Sequence, residues 1–327
     1  MWQVLFMQWG VLLATVCSFT GASQPRCKTG VPTSQAVQVQ STNNGCALDL
    51  AIIFPYYEAQ RELKYQLHGL QQMLNQILAQ LEVIVVDDGS PIFPILNGTS
   101  GEIKRLLETL EPRLGGLLVL RILQDIPWNR AGSLNLGATY SSATWLLMLD
   151  IDTCIELPAL TRLLRIIQMR DRHQAAQFMR NHGDGTKSIS PSALLVSRAT
   201  FWNVSGYNED FSGGHGYEDA YMAFELIRRR YLSQGDTILS PNISLTLIPK
   251  LHTRAKAALP RDDRNKGLFL NLTQVGTRMH KQKMHKQKMQ GHSALLSVMH
   301  LLRLCILRFD WQVQIESWHC FLRERVP

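Results

Sequence analysis

Asp150 and Asp152, in Leu149-Asp150-Ile151-Asp152, are two carboxylates one residue apart after a short apolar run. Alternate side chains of an extended chain share a face, so the two can hold a hydrated divalent cation or its ligands between them. A second pair opens Asp87-Asp88-Gly89-Ser90, where a carboxylate can accept a hydrogen bond from a base N–H or a ribose hydroxyl and Gly89 permits a tight turn. A third pair, Glu218-Asp219, stands at the start of a helical pattern, and Asp219 there suits a general base that takes the proton of an attacking hydroxyl. Each pair has a plainer reading. Asp-x-Asp also describes ordinary turn carboxylates, and acids at a helix start also satisfy the helix dipole. What decides between the readings is whether the fold gathers these acids in one place.

The elements that must position them are legible as alternating buried strands and amphipathic helices. Leu48 to Phe54 is a continuous apolar run ending at Pro55, the pattern of a strand covered on both faces of a parallel sheet. Leu63, Leu67, Leu70, Leu74, Ile77 and Leu81 recur at helical spacing and predict one helix of about five turns. Glu82 to Val86 reads as a second buried strand, followed by a helix face of Ile103, Leu106, Leu107 and Leu110. Leu117 to Leu123 then reads as a strand, Arg130 to Ser141 as a helix and Trp145 to Leu149 as a strand. This alternation predicts right-handed βαβ units and an α/β fold whose ligands bind beyond the carboxyl ends of the strands. Asp87 and Asp88 follow one such end and Asp150 and Asp152 another, so the sheet itself brings distant carboxylates to one crevice.

The 327 residues, 45% hydrophobic, suit one large α/β domain or two small ones. The formal net charge is +8, but residues 250–290 hold eleven Lys or Arg against Asp262 and Asp263, so the basicity belongs to a tail. With no nucleic-acid reading motif, a generic nucleic-acid binder is excluded. Trp2 to Ala22 is nearly all apolar and reads as a targeting segment. Thr20-Gly21-Ala22-Ser23 offers the small residues of a signal-peptidase site, and the length also fits a bilayer span; both readings put the rest of the chain in a lumen. Four Asn-x-Ser/Thr sequons, at Asn97, Asn203, Asn242 and Asn271, agree with lumenal exposure. Of six cysteines, Cys17 falls in the targeting segment, Cys27 with Cys46 and Cys305 with Cys320 are pairs by proximity, and Cys154 reads as a small buried thiol. His280-Lys281-Gln282-Lys283-Met284 repeats at once as His285-Lys286-Gln287-Lys288-Met289, a solvated linker or a contact for an anionic partner. Residues 293–309 read as an amphipathic helix.

The order of the motifs adds a resemblance. Strand-Pro55, then Val86-Asp87-Asp88-Gly89-Ser90, then Trp128-Asn129-Arg130-Ala131-Gly132-Ser133-Leu134-Asn135-Leu136-Gly137, then Asp150-Ile151-Asp152 resembles the nucleotide-sugar half of GT-A glycosyltransferases of the family 2 type. Ser197 to Trp202, Gly206 to Phe211 and Gly216-Tyr217-Glu218-Asp219-Ala220-Tyr221 look like a galactosyltransferase carboxy-terminal region, of the β-1,4-galactosyltransferase and chondroitin N-acetylgalactosaminyltransferase type. There a Gly-Gly-Glu-Asp-Asp-Asp motif precedes a helix. Tyr217 replaces its second Gly, Ala220 its third acid, and the Trp-Gly-Trp approach reads Ser212-Gly213-Gly214-His215, which leaves the sugar open.

What the resemblance implies is a single GT-A catalytic domain, α/β and Rossmann-like, with a mostly parallel central sheet flanked by helices. The division is residues 1–23 as signal peptide or signal anchor, 24–46 as a flexible stem, 47–278 as the GT-A domain and 279–327 as basic linker and C-terminal amphipathic helix. The implied activity is inverting transfer of a hexose or N-acetylhexosamine from a UDP-sugar to a hydroxyl of a glycan or glycoconjugate, in the ER or Golgi lumen, anchored or secreted. Pro55, Tyr56, Glu58, Asp87, Asp88, Asn129, Arg130 and Asp150 are the implied donor contacts. Asp152, His252 and Asp150 are the implied ligands of Mn2+ or Mg2+, with Asp219 as base and Glu218 on the acceptor or the donor sugar. The alternative is a protein of the same fold that binds sugar nucleotide or acts as a scaffold without turnover. The N-terminal segment or the C-terminal helix supplies any membrane contact.

Overall fold

The apolar runs become strands covered on both faces. Strand β1 (Leu50–Tyr56) sends Leu50, Ile52, Phe54 and Tyr56 into one core and Ala51 and Ile53 into another, and none is more than 3% exposed. The computed structural model describes residues 48–95, 101–169, 175–181, 186–232, 243–248, 262–287 and 313–317. All of these fall in one compact unit, Asn43–Pro327.

β1 lies at the centre of the sheet, parallel to β2 (Leu81–Asp87) on one side and to β4 (Trp145–Met148) on the other, while β2 pairs in parallel with β3 (Gly116–Ile122). On the β4 side the sheet continues with β7 (Lys187–Ser197), β6 (Ala175–Asn181), β8 (Ser244–Leu247) and β5 (Thr153–Ile155). On the β3 side it ends with β9 (Val313–Ser317), antiparallel to β3. The parallel order expected from sequence therefore describes the four adjacent strands β4, β1, β2 and β3, and the rest of the sheet is mixed. Because β1 has neighbours on both sides, the chain turns opposite ways after β1 and after β4. The crevice beyond those two ends is the switch point where ligands of such sheets bind.

One face of the sheet is covered by α1 (Gln60–Gln71), α3 (Gly101–Leu110) and α5 (Leu157–Met169), through Leu63, Leu67, Ile103, Leu107, Leu160 and Leu163. The other is covered by α4 (Arg130–Tyr140), α6 (Arg198–Asn203) and α7 (Glu218–Arg228), through Leu134, Phe201, Met222 and Leu226. Helix α4 lies directly on β1. A Cβ at Gly137 would come within 2.5 Å of Ile53 Cγ2, so the close approach needs glycine there.

Several expectations are corrected. The stripe from Leu63 to Leu81 is not one helix: α1 ends at Gln71, Leu74 is extended and 63% exposed, α2 is only Asn75–Leu78, and Leu81 begins β2. Arg113 stabilises the break, donating Nη1 to the Gln71 carbonyl (2.9 Å) and Nη2 to that of Met73 (2.6 Å), carbonyls that the end of the helix leaves without intrahelical partners. β1 runs through Pro55 instead of ending before it. Ile53 C=O accepts from Leu149 N–H on the β4 side, alternation puts Pro55's missing donor on that same side, and β4 has ended by then. Helix α8 (Asp263–Gln287) carries helical backbone through the first His-Lys-Gln-Lys-Met copy and into the second. β9 falls where no strand was expected.

Cys154 is half-buried and free, its Sγ 3.4 Å from the Thr246 carbonyl oxygen. The other five cysteines, the targeting segment, the stem and the 293–309 helix lie outside the described residues. Among the described residues no helix is long and apolar enough to cross a membrane.

Candidate active site

Two helix N-termini converge on the crevice. Helix α4 begins at Arg130 and α7 at Glu218, so a guanidinium and two carboxylates enter one space from distant parts of the chain. Acids in the first turn of α7 complement its dipole, whereas a cation at the start of α4 opposes one. The opposition is outweighed by direct pairing. Arg130, 8% exposed, gives Nε to Asp150 Oδ1 at 2.7 Å, Nη1 to Asp219 Oδ1 at 2.5 Å and Nη2 to the Ser192 carbonyl at 2.9 Å. The Arg130 guanidinium also lies over the Tyr207 ring, 5.7 Å from its centroid. Burial alone would lower its pKa, but Asp150 and Asp219 overcome that and hold Arg130 well above its usual value.

Asp219 has the opposite fate. Burial pushes its carboxyl up to about 7; Arg130 pulls it down, while Glu218 and Asp150 add to the rise. A carboxyl poised there can exchange a proton near neutral pH. Its neighbour Glu218, 3% exposed, accepts at Oε1 from the Trp128 indole Nε1 (2.9 Å), and its Oε2 has no hydrogen-bond partner among the described residues. Trp128 has left-handed backbone (φ 50°) and its ring meets His215 edge-on, centroids 4.1 Å apart. Tyr217, just before Glu218, is also left-handed, with φ 75°.

The loop after β2 divides the labour of its two acids. Asp87, fully buried, accepts from the backbone N–H of Ser90 (2.9 Å) and of Ile95 (3.0 Å), so it shapes its own loop. Burial raises its carboxyl pKa against those hydrogen bonds and the charge of Arg121. Asp88 instead reaches the start of α4, where Asn129 N–H donates to Oδ2 at 3.2 Å. Gly89, directly after Asp88, makes the turn with φ 71°. Asn129 accepts from Ser212 Oγ at 2.9 Å, and its buried Nδ2 has no hydrogen-bond partner among the described residues.

The fold thus brings together Asp88, Asn129, Arg130, Asp150, Glu218 and Asp219. Tyr56 and Glu58 serve the wall instead. Tyr56 is fully buried with its hydroxyl on the Phe93 carbonyl (2.8 Å), and Glu58 Oε1 accepts from Ile92 N–H (2.8 Å) and Phe93 N–H (3.1 Å). Pro55 is half-buried in β1, one residue before Tyr56. Asp150 to Thr153 is a turn closed by Thr153 N–H to the Asp150 carbonyl (2.9 Å), so the extended-chain reason for putting Asp150 and Asp152 on one face does not hold. Asp152 is half-buried in that turn and Thr153 Oγ1 approaches its Oδ1 at 3.4 Å. His252 lies outside the described residues. The chemistry of Asp150 and Asp152, both hard oxygen donors, fits Mg2+ or Mn2+. Among the described residues no three acidic, His or Cys side chains cluster as a metal site.

Sequence reasoning assigned no role to Trp128, Asn135, Ser192 or His215. Asn135 anchors α4 to the loop after α6, donating Nδ2 to the Tyr207 carbonyl (2.9 Å) and to Glu209 Oε1 (2.8 Å) and accepting from Tyr207 N–H (2.8 Å). The available signal was polarity: an Asn set between Leu134 and Leu136 in a helix must find partners when buried.

Comparison with solved structures places the chain beside Staphylococcus aureus TarS 1–349 in complex with UDP-GlcNAc. The TM-score is 0.54 at 14% identity, covering 70% of this chain and 66% of that one, just under two thirds of its length. Weaker likenesses are the mannosyltransferase PcManGT from Pyrobaculum calidifontis with GDP-Man and Mn2+ (TM-score 0.46, 15% identity, 78% and 80% covered) and GalNAc-T7 with UDP, GalNAc and Mn2+ (0.46, 14%, 64% and 45%). Comparison with curated protein sequences gives no match. The family profile for glycosyl transferase family 2 matches residues 52–235, the stretch from β1 through α7 that builds both walls of the crevice, and the chain belongs to that family.

Proposed function

We propose that the protein is an inverting glycosyltransferase that moves a hexose or N-acetylhexosamine from a UDP-sugar to a hydroxyl of a glycan or glycoconjugate. One observation carries the reading: a single guanidinium, Arg130, spans the acid of the Asp-x-Asp turn and the acid at the head of α7. The donor end and the base are thereby within one side chain of each other, which is what a displacement with attack and departure on opposite sides of one carbon requires. Family membership supports transfer from a nucleotide sugar, and TarS on the same fold was solved with UDP-GlcNAc.

In this mechanism Asp219 accepts the proton of the acceptor hydroxyl as its oxygen forms the new bond to the anomeric carbon. The bond from that carbon to the diphosphate breaks, and the nucleoside diphosphate leaves with the electron pair. Arg130 stays protonated, keeps Asp219 oriented and adds positive charge near the departing oxygen. Asp88 and Asn129 bound the nucleotide side, and Glu218 offers its second oxygen to a sugar hydroxyl. Asp150 and Asp152, with His252, would hold a divalent cation, which when bound neutralises diphosphate charge.

The galactosyltransferase-like carboxy-terminal reading is supported by Tyr217. It stands where that motif has glycine and keeps a glycine-like backbone. The lumenal reading is supported by the apolar N-terminal run and by two sequon asparagines, Asn203 and Asn271, both exposed.

The test is metal-dependent UDP release from a panel of UDP-sugars across an acceptor library, with Asp219→Asn and Asp152→Ala beside wild type. Turnover with one donor, lost in both variants and on chelation, is expected. Donor binding without product on any acceptor would sink the transferase reading in favour of a binding protein of the same fold.

A further inference from the structure

The loop that delivers Glu218 and Asp219 has almost no secondary structure of its own, and its carbonyls are collected by the first turn of α8. Asn265 is fully buried and points Nδ2 at three of them: Phe211 (2.9 Å), Gly214 (2.8 Å) and Gly216 (3.1 Å). Asp262 N–H donates to the His215 carbonyl at 3.0 Å, and Arg264 reaches those of Asp210 (3.2 Å) and Ser212 (3.4 Å). The contact is close as well as polar. A Cβ on Gly214 would fall 2.1 Å from Asp262 Oδ2, and the Tyr217 and Phe269 rings meet with centroids 5.6 Å apart. On the far side the same loop touches the active site, with Gly213 N–H on the Trp128 carbonyl (3.2 Å) and His215 against the Trp128 ring.

We propose that Asn265 is a positioning residue for the acceptor side of the active site, fixing the 211–216 loop and through it Glu218 and Asp219. This rests on the transferase reading above. The physical reason is that loop carbonyls denied sheet or helix partners take their direction from whatever donates to them. One amide serving three carbonyls sets three peptide planes at once. Asn265 touches none of Asp88, Asn129, Arg130 or Asp150 directly, and the loop it holds reaches the donor side through Ser212 Oγ on Asn129 Oδ1 (2.9 Å), so donor binding depends on it far less than the acceptor side does.

Three variants of the full chain test this: Asn265→Ala removes the donor, Gly214→Ala wedges loop from helix, and Arg264→Ala removes only the outer, exposed contacts. For Asn265→Ala and Gly214→Ala, kcat/KM for acceptor is expected to fall about ten- to a hundredfold. UDP affinity in the presence of Mn2+ falls no more than about twofold, through the Ser212–Asn129 hydrogen bond, and Arg264→Ala shows a smaller acceptor effect of the same kind. Gly214→Ala keeps the question open to measurement where Asn265→Ala fails to fold. Loss of thermal stability with acceptor KM and kcat unchanged per folded molecule would overturn the proposal, as would an equal loss of UDP affinity. Absence of wild-type turnover on every acceptor would defeat the transferase reading alone. Amide exchange then decides: faster exchange confined to residues 209–221 upholds the positioning role, and unchanged or chain-wide exchange refutes it.

Discussion

Arg130 and Asp219 meet at 2.5 Å, yet the acid keeps a carboxyl raised to about 7, because burial and the neighbouring Glu218 and Asp150 outweigh the cation. For a base the charged form is the working form, so activity must rise with pH. The acceptor kcat/KM of wild type is expected to climb through about pH 7 and level off above it. Asp219→Asn is expected to lose about 10²- to 10⁴-fold and the limb with it. Stability runs the other way. The folded state holds a proton that the unfolded carboxyl, near 3.8, has already released, so stability falls as pH rises toward about 7 and is flat beyond. Melting temperature against pH, compared with Asp219→Asn, reads this term. A wild type that gains stability over that window relative to the variant would refute the assignment.

Arg130 itself is the next test. Arg130→Met leaves Asp150 and Asp219 close together without their shared cation, which for a buried pair costs about 3–5 kcal/mol. It also removes what pulls the Asp219 carboxyl down, so any residual activity is expected to show its limb at higher pH than wild type. A limb that stays in place would mean that Arg130 does not govern the base. Arg130→Lys restores charge but lacks the fork that reaches two carboxylates at once, and partial recovery of stability without recovery of rate is the expected result.

Trp128 offers Glu218 its indole N–H at 2.9 Å, and Glu218 Oε2 has no further hydrogen-bond partner among the described residues. Trp128→Phe keeps a ring against His215 and deletes the donor, leaving a buried carboxylate short of its contact. The expected cost is about 1–3 kcal/mol in urea unfolding, with a raised acceptor KM and an unchanged UDP affinity. Weakened UDP binding would instead put Glu218 on the donor.

How far the sequence spoke for the site follows from what kind of physics each part uses. The strands Leu50–Tyr56 and Leu81–Asp87 are built on the apolar runs Leu50–Phe54 and Val83–Val86, and burial on both faces makes them readable from residue type. The carboxylates at their ends follow from the same logic. What could not be read is tertiary. Nothing local says that Arg113 will seize the end of α1, that Arg130 will bridge acids 20 and 89 residues away, or that Asp87 will turn inward while Asp88 reaches α4. The turn at Asp150 to Thr153 shows the limit on the smallest scale. Asp-x-Asp was legible as composition, while the strand geometry assumed for it was set by where β4 stops.

Tyr217 turns a sequence departure into a measurement. Its φ of 75° is a conformation that costs an L-residue about 1–2 kcal/mol, and its ring regains part of that against Phe269 at 5.6 Å. Tyr217→Gly removes the strain, the ring contact and some restriction of the unfolded chain together, so net stability is expected to move by no more than about 1 kcal/mol. Tyr217→Val loses the ring and puts a β-branched side chain into the same backbone, so about 2 kcal/mol or more should be lost. Urea unfolding of the two variants separates these outcomes. Equal destabilisation by Gly and Val would show that the backbone at 217 is not held left-handed. Near-neutral Gly with costly Val would tie this position to the glycine of the Gly-Gly-Glu-Asp motif by energetics as well as by order along the chain.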